Sequence, residues 1–417
     1  MNAIIFYEHL VREWAAVKSL KQELEAKGFR VKAYSLIFQR TAAWFDSIFH
    51  RPDVIYLPWY NLEIHEKILD PFYRLSPNVI IINQHQEQIS SPTSSVALFP
   101  KTEATKNGCY HFAWGDFFKE LLIDQGVKEE LIYVTGNIRN DAGKDSVATK
   151  EALAKEFGLD VNKKWILFAE NRGWLAQRNT DGTIKEMLRV GLSMDHINDH
   201  IAYTKTSLDA LFTDINSLGE EFAAKYEFIY RPHPGTQFDI ELPSYAHVLS
   251  NRPIYDWIIN CDLFLTCEST SIFEAEMCGV PCATVHHIDV KESERMAGVH
   301  DYPKLSTLKV INDEFISELA LAQKQREPIY KRYFGYVDGC SCKRTVEATM
   351  EILKKPAPHG FPMCKSTVYD NLRYFTYETL TFIITKLGLM KKLRFPRTAY
   401  TEARDIPYSS ENDWIKD

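Results

Sequence analysis

Apolar residues fall in short runs that alternate with stretches of helical spacing along most of the chain. Ala3–Tyr7, Val31–Ile37, Asp53–Leu57 and Val79–Ile82 read as buried strands, rich in β-branched and aromatic residues. Between the first two, Arg12–Lys27 sets Trp14, Val17, Leu20 and Leu24 on one helical face and stops at Gly28. His111–Trp114 predicts a short strand, Asp116–Gln125 a helix and Leu131–Thr135 a further strand. The alternation restarts at Trp165–Ala169. A long helical region to about Ala224 follows, then strands at Phe228–Tyr230, His247–Leu249, Leu263–Cys267 and Cys282–Val285. Strands that alternate with helices build βαβ units around a parallel sheet. The polar connection from Ser146 to Lys164 divides the two runs. The pattern therefore predicts an α/β chain with two βαβ domains facing a central cleft, 1–145 and 146–355, and a separate segment 356–417. At 417 residues each domain is long enough for its own core.

The last segment breaks the pattern. Tyr369–Leu393 carries Leu372, Phe375, Leu380, Phe382, Ile383 and Leu387 among Arg373, Lys386, Lys391, Lys392 and Arg394. A basic, aromatic-rich amphipathic helix of this kind lies on an anionic membrane surface or crosses back to pack on the first domain, and the two are compatible.

Composition narrows the function classes. A net charge of −7 leaves no general basic surface for nucleic acid. The eight cysteines (109, 261, 267, 278, 282, 340, 342 and 364) contain no paired CxxC set; Cys340-Ser-Cys342 comes nearest to a ligand pair, and reduced thiols are expected. Met1–Tyr7 lacks a basic start and a cleavage site, so it is read as a strand and not as a signal peptide. No apolar run reaches the roughly 20 residues of a membrane-spanning helix. The expectation is a cytoplasmic protein, peripheral on the inner face of the membrane.

Two stretches carry candidate chemistry. Tyr226-Glu-Phe-Ile-Tyr-Arg-Pro-His-Pro-Gly235 reads as a buried strand running into a stiff loop. Pro232 and Pro234 fix φ on both sides of His233, beside Arg231, at the carboxyl end of a strand, where open α/β sheets bind ligands. A structural loop with a lone histidine is the alternative. In the second, Thr266-Cys-Glu-Ser-Thr-Ser-Ile-Phe-Glu-Ala-Glu-Met-Cys-Gly-Val-Pro281, a strand meets the hydroxyls of Ser269, Thr270 and Ser271 at a helix start, which suits a phosphate. Glu268 stands beside them. Glu274, one turn on, can accept two hydroxyls of a ribose or complete a capping box with Ser271.

Together these stretches resemble the donor-nucleotide half of GT-B glycosyltransferases that use CMP- or CDP-activated donors: sialyl- and polysialyltransferases, Kdo transferases and teichoic-acid glycerophosphotransferases. Val134-Thr-Gly-Asn-Ile-Arg-Asn-Asp141, Ile166-Leu-Phe-Ala-Glu-Asn-Arg-Gly173 and Asp338-Gly-Cys-Ser-Cys-Lys-Arg344 extend the resemblance over about 131–350. The fold it implies is GT-B, two Rossmann-like domains. Among these families the chain looks most like the retaining β-Kdo transferases of O-antigen and capsule assembly. It departs from them at Ile138, where proline is common, and at Asn171-Arg172.

That likeness implies a CMP-Kdo donor, a carbohydrate acceptor on a lipid carrier, and double displacement through a carboxylate. Charge developing on the departing phosphate would be met by His233 and Arg231, with no metal and no further cofactor. Glu170, at the end of the first donor-domain strand, is the expected acid/base. Asp199 is the expected nucleophile, with Asp195 the alternative; both also read as surface residues capping the long helix. Rival readings are a CDP-glycerol-type polyol-phosphate transferase, a relative of UDP-GlcNAc 2-epimerases, and a non-catalytic nucleotide-binding protein.

Overall fold

The computed structural model describes residues 1–95, 98–142, 148–172, 184–185, 187–188, 191–233, 240–249, 252–358, 363–389 and 406–408. The chain forms two compact units. One comprises Met1–Gln88, Ala97–Ala142 and Arg332–Asp417; the other comprises Ile89–Val96 and Gly143–Lys331.

The first unit holds six parallel strands: β1 (Asn2–Tyr7), β2 (Arg30–Ser35), β3 (Val54–Leu57), β4 (Ile80–Asn83), β5 (Tyr110–Ala113) and β6 (Ile132–Val134), in the order β2-β1-β3-β4-β5-β6. The apolar runs are continuous because both faces of the sheet are covered. On β1, Ala3, Ile5 and Tyr7 join Leu20 and Leu24 of the Leu10–Ala26 helix, while Ile4 and Phe6 join Leu69 and Phe72 on the other face. Each such fully buried side chain is worth about 1.5–3 kcal/mol. The flanking helices Arg40–Phe49 and Glu63–Leu75 were not predicted from the pattern; the second carries Pro71 inside it.

The boundary at 355 is corrected. The Ser341–Ile352 helix belongs to the first unit, where Cys342, Val346 and Ile352 enter the core beside Leu20 and Leu24, and Thr349 Oγ1 lies 2.7 Å from the Tyr56 hydroxyl. Two of the sequence motifs make this junction. Arg344 donates to both oxygens of Asp338 (2.8 and 2.9 Å) and, through Nε, to the Thr135 carbonyl (3.0 Å). Asp141 accepts from the Cys342 amide at 2.7 Å. Gly136 has φ +84°, and a Cβ there would sit 2.5 Å from Ser341 Oγ. The glycine of one motif is thus required by the serine of the other.

The tail helix spans Val368–Lys386, opened by a Thr367–Asp370 capping box; residues 390–393 of the predicted segment lie outside the described residues. It packs on the first unit through a mixed face, where Ile384 and Tyr377 join Phe38 in an apolar cluster and Glu378 and Thr381 are buried beside them. Glu378 accepts from the Thr41 amide (3.1 Å), Arg40 lies 3.3 Å over the Tyr374 ring, and Tyr377 stacks on Phe38.

The second unit holds β7 (Lys164–Ala169), β8 (Tyr226–Arg231), β9 (Ala246–Val248), β10 (Leu263–Thr266), β11 (Cys282–Val285) and β12 (Lys304–Leu305), all parallel, in the order β12-β11-β10-β7-β8-β9. Its core packs Phe168, Phe228, Tyr230 and Leu265 against Leu211 and Ile215 of the Met194–Asn216 helix. The two-residue β12 was not predicted: its length leaves no periodicity to detect. All eight cysteines are free, and among the described residues no cluster of three His, Cys, Asp or Glu is arranged to hold a metal ion.

Candidate functional site

Read from its other edge, the second sheet runs β9-β8-β7-β10-β11-β12, the 3-2-1-4-5-6 order of a dinucleotide-binding sheet. The direction of winding reverses between β7 and β10, and ligands bind outside the carboxyl ends of the strands at such a switch point. Both candidate loops leave this edge: Arg231 to His233 from β8, and Cys267 to Thr270 from β10. Ala169 is in register with Arg231 on one side and Thr266 on the other. With strands about 4.8 Å apart, the two loops start about 10 Å from one another across the end of β7.

The β8 loop is held from its backbone. The Glu170 amide donates to the Arg231 carbonyl (2.9 Å), and Arg231 Nη2 donates to the Arg252 carbonyl (2.8 Å). Arg231 and His233 are both half-buried; Pro234 and Gly235 lie outside the described residues. In the β10 loop, Ser269 Oγ is 2.9 Å from Ser271 Oγ. Ser271 is the first residue of the Ser271–Met277 helix and does not cap it, so the capping box with Glu274 does not form; Thr270 precedes the helix without a side-chain cap bond. Glu274 is half-buried on that helix.

Glu170 follows β7, as expected, but is fully buried there. Its side chain has 0% exposure. One oxygen accepts from the Asn171 amide (2.9 Å), the Arg172 amide (2.7 Å) and Arg172 Nε (2.8 Å); the other accepts from Arg172 Nη2 (2.7 Å). Burial alone would raise its pKa, but the Arg172 guanidinium and the two amides outweigh it and hold the carboxyl below its usual range. Arg172 in turn donates to Ser207, and the Asn171 side-chain amide donates to the Glu268 carbonyl, tying the β7 and β10 loops together. The group is a lock at the switch point.

The expected nucleophiles lie on a helix surface. Asp195 and Asp199 lie in the first turns of the Met194–Asn216 helix, not before it, and both are exposed. Asp199 pairs with Lys291 at 2.9 Å on the surface, which lowers its pKa. The histidines of the same stretch do more: His196 and His200 reach the two oxygens of Glu294 at 3.0 and 2.9 Å. They lie against the segment between β11 and β12.

That segment roofs a cavity of about 140 Å³ lined by Glu268, Thr284, His286, Val290, Arg295, His300 and Lys304. Glu268 leaves the end of β10, His286 the end of β11, and Lys304 opens β12. Glu268 is 7% exposed. Its Oε2 accepts from the Met296 amide at 2.7 Å; its Oε1 has no hydrogen-bond partner, with His286 Nε2 3.4 Å away. Burial pushes the Glu268 carboxyl up to about 7, against the pull of the Met296 amide, His300, Arg295 and Lys304. Burial, with help from Lys304, Arg172 and Arg295, brings His286 down to about 4, so its ring is neutral at pH 7. The sequence reading named Glu268 and missed His286, Arg295, His300 and Lys304. Paired histidines directly after a strand, followed within twenty residues by four further basic side chains (Lys291, Arg295, His300 and Lys304), were the available signal.

No protein-family model matches the chain, and no curated protein matches it. Solved structures do. The UDP-GlcNAc 2-epimerase from Neisseria meningitidis bound to UDP-GlcNAc aligns with TM-score 0.53 at 13% identity, over 84% of this chain and 100% of that one. The S. aureus MnaA–UDP complex gives 0.50 at 16% identity, over 86% and 100%. The wall teichoic acid polymerase TagF soaked with CDPG gives 0.50 at 12% identity, over 86% and 90%. The chain has the GT-B fold, with two Rossmann-like domains. At these identities the likeness extends to fold alone.

Proposed function

We propose that this chain is a nucleotide-dependent transferase of surface-polysaccharide assembly, moving a sugar or polyol phosphate from a pyrimidine-nucleotide donor. The observation that carries the reading is the placement of Arg231, His233 and the Glu268–Ser271 stretch at the carboxyl ends of β8 and β10, on either side of β7, in a sheet of nucleotide-binding order. Cations and hydroxyls so placed suit a phosphate that gains charge as its bond to the transferred group breaks. The resemblance of the two loops to CMP- and CDP-using enzymes favours a cytidine nucleotide, with CMP-Kdo as the sugar donor and CDP-glycerol as its rival. Asp199 is not retained as nucleophile, because it is ion-paired on the surface, and Glu170 is not retained as acid/base, because every donor around it is fixed.

Titration calorimetry with CMP, CDP and UDP tests the reading. Micromolar binding of a cytidine nucleotide, and turnover of CMP-Kdo or CDP-glycerol but not UDP-GlcNAc, is the expected result. Selective UDP binding with interconversion of UDP-GlcNAc would establish the epimerase reading instead. Absence of all nucleotide binding would end both.

A lipid-linked acceptor fits the tail helix. Its outward face presents Val368, Tyr369, Leu372, Phe375, Phe382, Ile383 and Leu387, and the adjoining Arg40–Phe49 helix adds Phe45, Ile48 and Phe49, all exposed. Lys365, Arg373 and Lys386 accompany this surface, and Lys391, Lys392, Arg394 and Arg397 follow in sequence with no acidic residue among them. Apolar side chains beside unbalanced cations match an anionic bilayer surface. No helix among the described residues is long and apolar enough to cross a membrane.

A further inference from the structure

The cavity between the ends of β10, β11 and β12 has a use that the nucleotide loops do not supply. Three features meet there. A carboxyl oxygen, Glu268 Oε1, is buried in its wall with no hydrogen-bond partner. Arg295, His300 and Lys304 line the same space, and among the described residues Arg295 forms no ion pair; its Nε donates to the Val290 carbonyl at 3.3 Å. The volume of about 140 Å³ exceeds one water, whose share of the liquid is about 30 Å³. An ionised carboxylate left unpaired in such a place is costly, and the same cavity offers cations to a different anion.

We propose that this cavity is a proton-linked oxyanion subsite, in which Arg295, Lys304 and His300 hold a phosphoryl or carboxylate group of the substrate while Glu268, protonated, donates to it through Oε1. The proposal rests on the transferase reading and deepens it: the subsite takes an anionic group of the substrate other than the phosphate at the Arg231, His233 and Ser269 loops. The charged and titratable groups around Glu268 are the adjacent Cys267, His286 from the end of β11, Arg295 and the half-exposed His300 from the roofing segment, and Lys304 from β12; His300 lies 3.6 Å from Asp301 and 3.0 Å from the Met296 carbonyl, and the Lys304 amine is shared with Asp289 at 2.8 Å. Arg172, at the end of β7, bears on His286. His286 stays neutral through the physiological range, so it sets no pH dependence there. Glu268, raised by its burial, is the group that can.

The sign follows from which form binds. An entering anion adds a like charge beside Glu268 and favours its protonated form, so affinity is full at low pH and is lost as pH rises through about 7. Sulfate is the probe, because it does not itself titrate near neutrality. Calorimetric titration of the full chain at pH 6 and pH 8 should show about ten-fold weaker binding at pH 8, the ratio of protonated Glu268 at the two values. Glu268→Gln keeps a donor at every pH and should bind equally at both, with a melting temperature unchanged at pH 6 and no lower than wild type at pH 8. His300→Asn should retain most of the pH dependence, and Arg295→Gln should weaken sulfate at least ten-fold at pH 6.

A pH response that survives Glu268→Gln and disappears in His300→Asn would overturn the role of Glu268. Absence of sulfate binding at pH 6 would overturn the subsite. A parallel titration with lactate separates the sources: tighter sulfate assigns the site to a phosphoryl group, tighter lactate to a sugar-acid carboxylate. CMP, CDP and UDP titrated beside them keep the two readings apart. Nucleotide binding without sulfate binding leaves the transferase reading and removes the subsite; sulfate binding without any nucleotide does the reverse.

Discussion

Single residues at the carboxyl edge of the second sheet separate into those that hold the site and those that face a ligand. Glu170 belongs to the first kind. Glu170→Gln leaves Arg172 buried without its partner, a loss of about 3–5 kcal/mol by the usual cost of breaking one side of a buried pair. A urea titration should show that loss as a lower midpoint, whereas an acid/base role would remove turnover and leave the midpoint in place. Because the folded carboxyl is held below its usual range, its contribution is complete above the ordinary glutamate value of about 4.3 and is lost as pH falls through the depressed one. On the proposed function, His233 is of the second kind. His233→Ala should fold normally and lower donor turnover about 100-fold, the scale for losing one donor to developing charge; near-normal turnover would make the histidine a part of the loop only. The motif at Arg231 and His233 was legible in sequence because prolines mark a rigid loop locally. The burial of Glu170 was not, since it depends on Arg172 folding back onto it and on Ser207 from a distant helix.

At the scale of elements, the return of the chain to the first unit brings Gly136 against Ser341. Gly136→Ala places a Cβ at φ +84° and 2.5 Å from Ser341 Oγ. Strain at the backbone alone costs about 1–2 kcal/mol, and the crowded serine adds to it. The denaturation midpoint should fall accordingly, and Ser341→Gly in the same chain should recover part of the loss. The tail helix gives a second test. Glu378 is buried against Thr41, and its carboxyl is pushed up to about 7 by that burial. A raised folded-state value means that its contribution is full below the ordinary glutamate range and fades as pH rises through about 7. Glu378→Gln should therefore raise the melting temperature at pH 8 relative to wild type and make little difference at pH 5. Equal effects at both pH values would show that Glu378 does not titrate in this window.

For the whole molecule, the exposed apolar face of the tail helix predicts binding to vesicles that contain phosphatidylglycerol, and weaker binding as salt screens the basic residues. Phe375→Glu with Ile383→Glu should abolish co-sedimentation with these vesicles and leave the melting temperature unchanged, since both side chains face outward. Undiminished co-sedimentation of the double variant would show that this face does not meet the bilayer.

The sequence by itself determined the βαβ class, nearly every long strand, and the two loops that leave β8 and β10. Each of these is written in local terms: runs of β-branched and aromatic residues, helical spacing, prolines and hydroxyls at strand ends. Tertiary structure alone decided the strand order, and with it the switch point that gives those loops a common edge. It alone placed the Ser341–Ile352 helix in the first unit, because a helix's apolar stripe does not say which sheet will cover it. It also brought Glu268, His286, Arg295, His300 and Lys304 around one cavity from three strand ends and the connection between them. Such an assembly has no signature along the chain, because its members are joined through space by the order of the strands and not by their spacing in sequence.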